Sequence, residues 1–325
     1  MFDTALRPVH ILYGTGALLV LLAGTTLGSY PSYLISLALI NVIAAVGLNL
    51  LVGNSGQISL CHSSFMAIGA YGSSMLTAMF GLPFWLSIPC AALGAAAVGA
   101  LLGMPARRLS GIYLALATLA FLQIVQIAIE ESADFTGGVR GLDVPKAFFW
   151  PSVPVGPRGL FFVVAGACAL SIWSAANLLK SKLGREINAA RLSPHAAQAL
   201  GVSVARVKLT AFALSAAYAG LAGGLLSLVV GFVEPNEFGI SAALRQLTFI
   251  VVGGMGSLAG SVLGALALSG LPELLRSAKE YSDLASALIL LASLLFMPRG
   301  LVTLWQHLTV RTAHPVARPH RSPAK

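Results

Sequence analysis

Apolar residues run along this chain in blocks of about 18–25, parted by short polar stretches, and the blocks recur from one end to the other. A helical block of that length matches the hydrocarbon thickness of a bilayer. A helix also closes its own backbone hydrogen bonds where no water can. The pattern predicts about ten segments, near 9–28, 33–52, 57–80, 84–105, 111–130, 159–179, 209–231, 242–256, 258–275 and 283–297. The third is rich in glycine and serine; the eighth and ninth are short, with a glycine-rich break between them. The expected fold is an all-α integral membrane protein, a polytopic bundle of about eight to ten transmembrane helices that includes short broken ones.

Composition sharpens this reading. Hydrophobic residues make up 57% of the chain and charged residues 10%, with a mean hydropathy of +0.86, whereas a soluble domain carries about 25% charged residues. The net charge of +9 would suit a nucleic-acid binder, but the basic residues sit in loops between apolar blocks, the bias expected of cytoplasmic loops. Nucleic acid is therefore not an expected partner; anionic membrane lipid is. With the N-terminus inside, Arg7, Arg107, Arg108, the basic residues of 180–208 and the basic C-terminal end all fall on the cytoplasmic side. The acids Glu130, Glu131, Asp134, Asp143, Glu234 and Glu237 fall outside, and both termini are expected inside. The first block is long for a signal-peptide core and has no small-x-small cleavage site after it, so it reads as a membrane helix. Residues 1–310 are expected to form the membrane domain, and 311–325, basic and proline-rich, a disordered tail. Cys61, Cys90 and Cys168 all lie in apolar blocks with neither disulfide nor zinc spacing, and read as packing residues. No metal or cofactor is expected.

The longest polar interruption is 180–208, KSKLGREINAARLSPHAAQALGVSVARVK. Ser193 followed by Pro194 is a helix N-cap followed by a favoured first helical residue. Residues 195–200 favour helix, and Gly201 suits the stop. A short helix parallel to the membrane, flanked by Arg185, Arg191 and Arg206, would give a soluble partner something to dock on.

No catalytic constellation is present: no phosphate-binding Gly-x-x-x-x-Gly-Lys-Ser/Thr loop, no His-Glu-x-x-His helix, no Gly-x-Ser-x-Gly elbow. If the chain moves a solute against a gradient, it is not expected to hydrolyse ATP itself. Two glycine-interrupted stretches stand out, 53–64 and 253–261. Unwound backbone must face protein or a water-filled path, and such paired breaks often line substrate sites; close helix packing is the other reading. His62 lies inside a membrane block. It either lines a path or bonds a neighbouring helix as a neutral ring. Gln123 and Gln126, three apart, share a helix face and either line a path or bond across helices. The candidate pathway residues are Gln57, Ser59, His62, Ser63 and Gln123.

Several stretches, in order, resemble one known family: GLNLLVGNSGQISL (47–60), RLSGIYLALATLAF (108–121), FTGGVRGLDVP (135–145), AAQALGVSVARVKLTAFALSAAYAGLAGGL (196–225), VVGGMGSLAGSVLGA (251–265), LPELLR (271–276) and FMPRGL (296–301). They are similar to permease subunits of branched-chain amino acid ABC transporters. The resemblance implies a permease in the bacterial inner membrane that pairs with a second permease. Two cytoplasmic ATPase subunits would drive it and a periplasmic binding protein would supply it. It also implies that Ala196, Ala197, Ala199, Leu200 and Gly201 form the coupling helix that seats in the ATPase, with Arg191 beside it. The chain departs from the family at Ser193-Pro194-His195, where an acidic residue usually precedes the Ala-Ala pair, and at Cys61, where glycine is common. The expected solute is a branched-chain amino acid or a related small polar or amphipathic molecule. The rival reading is an ion-coupled secondary transporter or a channel, against which the scarcity of intramembrane acids weighs.

Overall fold

A computed structural model describes residues 28–270, apart from 110, 146–147 and 151–152. The expected segments near 9–28 and 283–297 and the basic tail lie outside the described residues. Helix α1 (Ser29–Leu48) continues into a π-helical stretch (Asn49–Asn54), and α2 covers His62–Phe80, α3 Phe84–Ala106 and α4 Ile112–Glu131. The single turn α5 (Ala133–Thr136) and strand β1 (Leu142–Asp143) follow, then the pair β2 (Phe148–Trp150) and β3 (Val153–Pro154). The chain then forms α6 (Pro157–Lys180), α7 (Lys182–Leu192), α8 (Pro194–Ala199), α9 (Val204–Val230), β4 (Phe232–Val233), α10 (Ile240–Gly253) and α11 (Leu258–Ser269).

Among the described residues, five helices are long and apolar enough to cross a membrane: α1 with its π-helical end, α3, α4, α6 and α9. Helix α2 has nearly the same length but carries His62 and the buried serines Ser63, Ser64, Ser73 and Ser74, so it is sheltered inside the bundle. Helices α10 and α11, with 14 and 12 residues, rise only about 21 and 18 Å, short of the roughly 30 Å hydrocarbon core. They pack on each other as a hairpin. The expected all-α bundle with short broken helices is the architecture observed.

Helix α9 is the centre, in contact with α1, α2, α3, α6 and α7. Its small residues allow this. A Cβ on Gly69 of α2 would overlap the backbone of Gly220, and one on Gly223 would overlap the backbone of Met66, so α2 and α9 approach at backbone distance. Close packing of this kind supplies the dispersion contacts that hold membrane helices together. Helix α1 is the most enclosed of the five spans and α4 the least, which leaves α4 on the periphery.

Two ends of the bundle can be told apart. At one, β1 pairs antiparallel with β4, Leu142 opposite Val233 and Asp143 opposite Phe232. At the other, α7 and α8 lie beside the π-helical end of α1 and the start of α9. Two local differences from expectation stand out. The third segment begins at His62 rather than 57, because 55–61 is a loop that follows the π-helical stretch. The polar interruption also holds a helix, α7, ahead of the expected one. It is held by tertiary contacts: Ile187 is buried, Ser181 Oγ caps Gly184 N–H at 3.4 Å, and a side chain on Gly184 would strike the Leu179 carbonyl.

Candidate functional site

The polar interruption presents α8 as an exposed knob. Ser193 is extended (φ −154, ψ 103), and its Oγ accepts from the Ala196 N–H at 3.3 Å. Pro194 follows as the first helical residue. At the far end Gly201 turns left-handed (φ 81). Gly201 N–H donates to the Gln198 carbonyl and Val202 N–H to the Ala197 carbonyl, both at 2.9 Å, the two bonds of a Schellman stop. Of the helix itself only Ala197 faces inward; His195, Ala196, Gln198, Ala199 and, after it, Leu200 and Gly201 are exposed. Leu192 and Leu200 are 86% and 83% exposed. Apolar side chains held in water beside a rigidly capped turn form a surface suited to a protein partner.

Directly behind the knob lie both glycine breaks. Arg191, in the last turn of α7, donates through Nη1 to the Gly53 carbonyl at the end of the π-helical stretch. Gly256 N–H donates to Asn49 Oδ1 at 2.8 Å, and Asn54 Nδ2 donates to the Gly256 carbonyl at 3.5 Å. Glycine is required at 53, because a Cβ there would occupy the place of Asn49 Oδ1 and the Gly256 amide. Gly254 and Gly256 turn with φ 115 and 84, conformations open to glycine. The helical hydrogen-bond register changes where the Asn49 side chain leaves α1 to hold the other break. Such π-helical insertions recur at functional sites.

The residues expected on a pathway are placed as follows. Gln57, Ser59, His62 and Ser63 are all buried, clustered around the start of α2. Gln57 Nε2 donates to Ser55 Oγ at 2.7 Å and to the Lys208 carbonyl at 3.4 Å, which ties the loop to the start of α9. Ser59 Oγ lies 3.3 Å from Cys61 Sγ. His62 Nε2 is 2.9 Å from the Ala44 carbonyl and Nδ1 is 3.2 Å from Ser215 Oγ. The carbonyl can only accept, so Nε2 carries the proton and Nδ1 accepts from the serine. Ser63 Oγ and Gln57 Oε1 have no hydrogen-bond partner among the described residues. Gln123 is half-buried on α4, and its neighbour Gln126 donates to Glu130 Oε1 at 3.1 Å.

None of these five residues lines a cavity of about 350 Å³ toward the β1–β4 end. Its walls come from α1, α2, α9, α10, α11 and the 232–238 loop. Its lining includes the apolar Met66, Leu226 and Phe249; Asn41, Glu234, Glu237, Arg245 and Gln246 add polar groups. Asn41 Nδ2 donates to Ser269 Oγ at 3.0 Å. Gln246 Nε2 donates to Met66 Sδ at 2.7 Å, and its buried Oε1 has no partner among the described residues. One sequence signal pointed here: Arg245 and Gln246 lie side by side inside an apolar block, and an ionisable residue in such a place marks a functional candidate.

Residues 30–297 match the family described as branched-chain amino acid transport system / permease component. The chain is 37% identical over 291 residues to the high-affinity branched-chain amino acid transport system permease protein LivM of Escherichia coli K12, covering 82% of this chain and 68% of that one. It is 29% identical to LivH of the same organism, covering 86% and 93%. It is 28% identical to a probable LivH of Methanocaldococcus jannaschii, covering 80% and 87%. No solved structure matches the chain.

Proposed function

The chain belongs to the branched-chain amino acid transport permease family, and from that premise we propose that it imports a branched-chain amino acid as one half of a permease pair, driven by ATP that its partner subunits hydrolyse. The LivM and LivH matches support a paired permease, and the higher identity to LivM supports a LivH-like second half. Two ATPase subunits would dock from the cytoplasm of a bacterial inner membrane, where both termini would also lie, and a binding protein would deliver solute from the other side.

The observation that carries this reading is the capped, solvent-facing α8 with Leu200 beside it. A transporter driven by an ion gradient has no use for a rigid apolar knob on its most basic loop. A soluble ATPase needs such an element to push against. Toward the other face, the cavity joins apolar side chains to groups of both charge signs at Glu234, Glu237 and Arg245, a combination suited to an aliphatic zwitterion. Weak binding there suffices, because affinity would reside in the delivering protein.

Leu200→Arg tests the coupling role. The variant should reach the membrane at normal level, because Leu200 makes little buried contact, while leucine uptake by the assembled transporter falls at least about tenfold. Normal uptake at normal expression would sink it.

A further inference from the structure

Arg191, exposed in the last turn of α7 beside the docking face, joins that face to both breaks. Its Nη1 donates to the Gly53 carbonyl. Its Cγ lies 3.2 Å from where a Cβ of Gly56 would stand, and its Nη1 3.0 Å from where a Cβ of Gly256 would stand. The exposed side chain therefore lies against both glycines, where an added methyl group would crowd it. Gly256 is bonded in turn to Asn49 and Asn54 of the π-helical stretch. Within two residues of Arg191 come Leu192, which is largely exposed, and Ser193, the cap of α8. A carbonyl at a helix C-terminus carries partial negative charge and lacks an intrahelical partner. A guanidinium binds it directionally with a charge-assisted bond.

We infer that Arg191 is a positioning residue that transmits displacement of the docking helix to the bends of α1 and of the α10–α11 hairpin. The proposal rests on the reading of α8 as an ATPase-docking element. When α8 is pushed, Ser193 and Arg191 move with it, because one extended residue separates the two helices. The guanidinium then pulls on Gly53 and presses on Gly256. The Asn49 bond to Gly256 makes the two breaks respond together. Helices α1 and α10 continue from these breaks to the cavity that Asn41, Arg245 and Gln246 line, so a bend at one end swings the walls at the other.

The test uses the complete transporter reconstituted in vesicles: this chain, its partner permease, both ATPases and the binding protein. [14C]Leucine uptake and ATP hydrolysis are measured on the same preparation. Arg191→Met should leave the ATPases bound and hydrolysis within about twofold of wild type, while uptake per ATP falls about tenfold, the scale of one lost charge-assisted bond. Arg191→Lys, which keeps the charge but not the planar fork, should fall between the two. A residue that only stabilised the fold would lower uptake and hydrolysis together and leave their ratio unchanged. Uptake per ATP equal to wild type in Arg191→Met overturns the proposal. If that variant is not recovered, Arg191→Lys and Arg191→Gln decide by the same ratio. Loss of all three from the membrane would make Arg191 a folding residue and overturn it too. A wild-type assembly that neither binds the ATPases nor hydrolyses ATP would instead refute the docking reading on which the proposal rests.

Discussion

His62 fastens three helices at a single point: it begins α2, reaches the Ala44 carbonyl of α1 and receives the Ser215 hydroxyl of α9. With both ring nitrogens engaged and the side chain buried, it acts as a strut between helices. His62→Ala should destabilise the fold by about 1–3 kcal/mol, the cost of stranding buried polar partners. That appears as a lower unfolding midpoint in detergent, with uptake per surviving molecule preserved. An unchanged midpoint with abolished uptake would return the histidine to the solute's path. Sequence alone left both roles open, because the bonding partners lie 18 and 153 residues away, beyond any local pattern. The same holds for Arg191, whose place beside the loop helix was legible but whose contact with Gly53 was not.

At the scale of elements, legibility followed locality. Both ends of α8 are written in adjacent residues, Ser193-Pro194 and Gly201, and the structure uses each as expected. Removing the cap with Ser193→Ala should cost about 1 kcal/mol. Gly201→Val, which forces a β-branched residue to φ 81, should cost about 1–3 kcal/mol. Amide hydrogen exchange across 194–202 would then speed up about fivefold in the first variant and more in the second. Unaltered exchange in both would show that something other than the caps holds the helix. Helix α7 was not foreseen because it is secured by burial of Ile187 and by the close approach of Gly184 to the end of α6 rather than by propensity. The π-helical register at 49–54 left no mark beyond its glycine, since it arises where the Asn49 side chain reaches a segment 207 residues further on.

For the whole molecule, hydropathy alone was enough to foresee the bundle, because an apolar block of membrane length has few other solutions. The cavity was not foreseeable in this way. Its walls come from five helices and a loop, and apart from Arg245 and Gln246 nothing in those separate segments shows that they meet around one space. Helix α4 turns most of its apolar surface outward, leaving a broad face for lipid or a second permease. Mild-detergent purification of the tagged protein should recover a LivH-like permease and an ATPase; recovery of the folded chain alone would count against the multi-subunit reading.

The short ladder at the far end constrains how the cavity opens. Leu142 and Asp143 pair with Val233 and Phe232, and Val144 N–H adds a bond to the Gly231 carbonyl at 3.1 Å. Phe232, Val233 and Glu234 are part of the cavity wall, so that wall is stitched to a loop far away in sequence. It cannot lift as a free flap. Either the rungs break, or the mouth opens like a lid hinged along its whole edge, carrying the 137–144 loop with it.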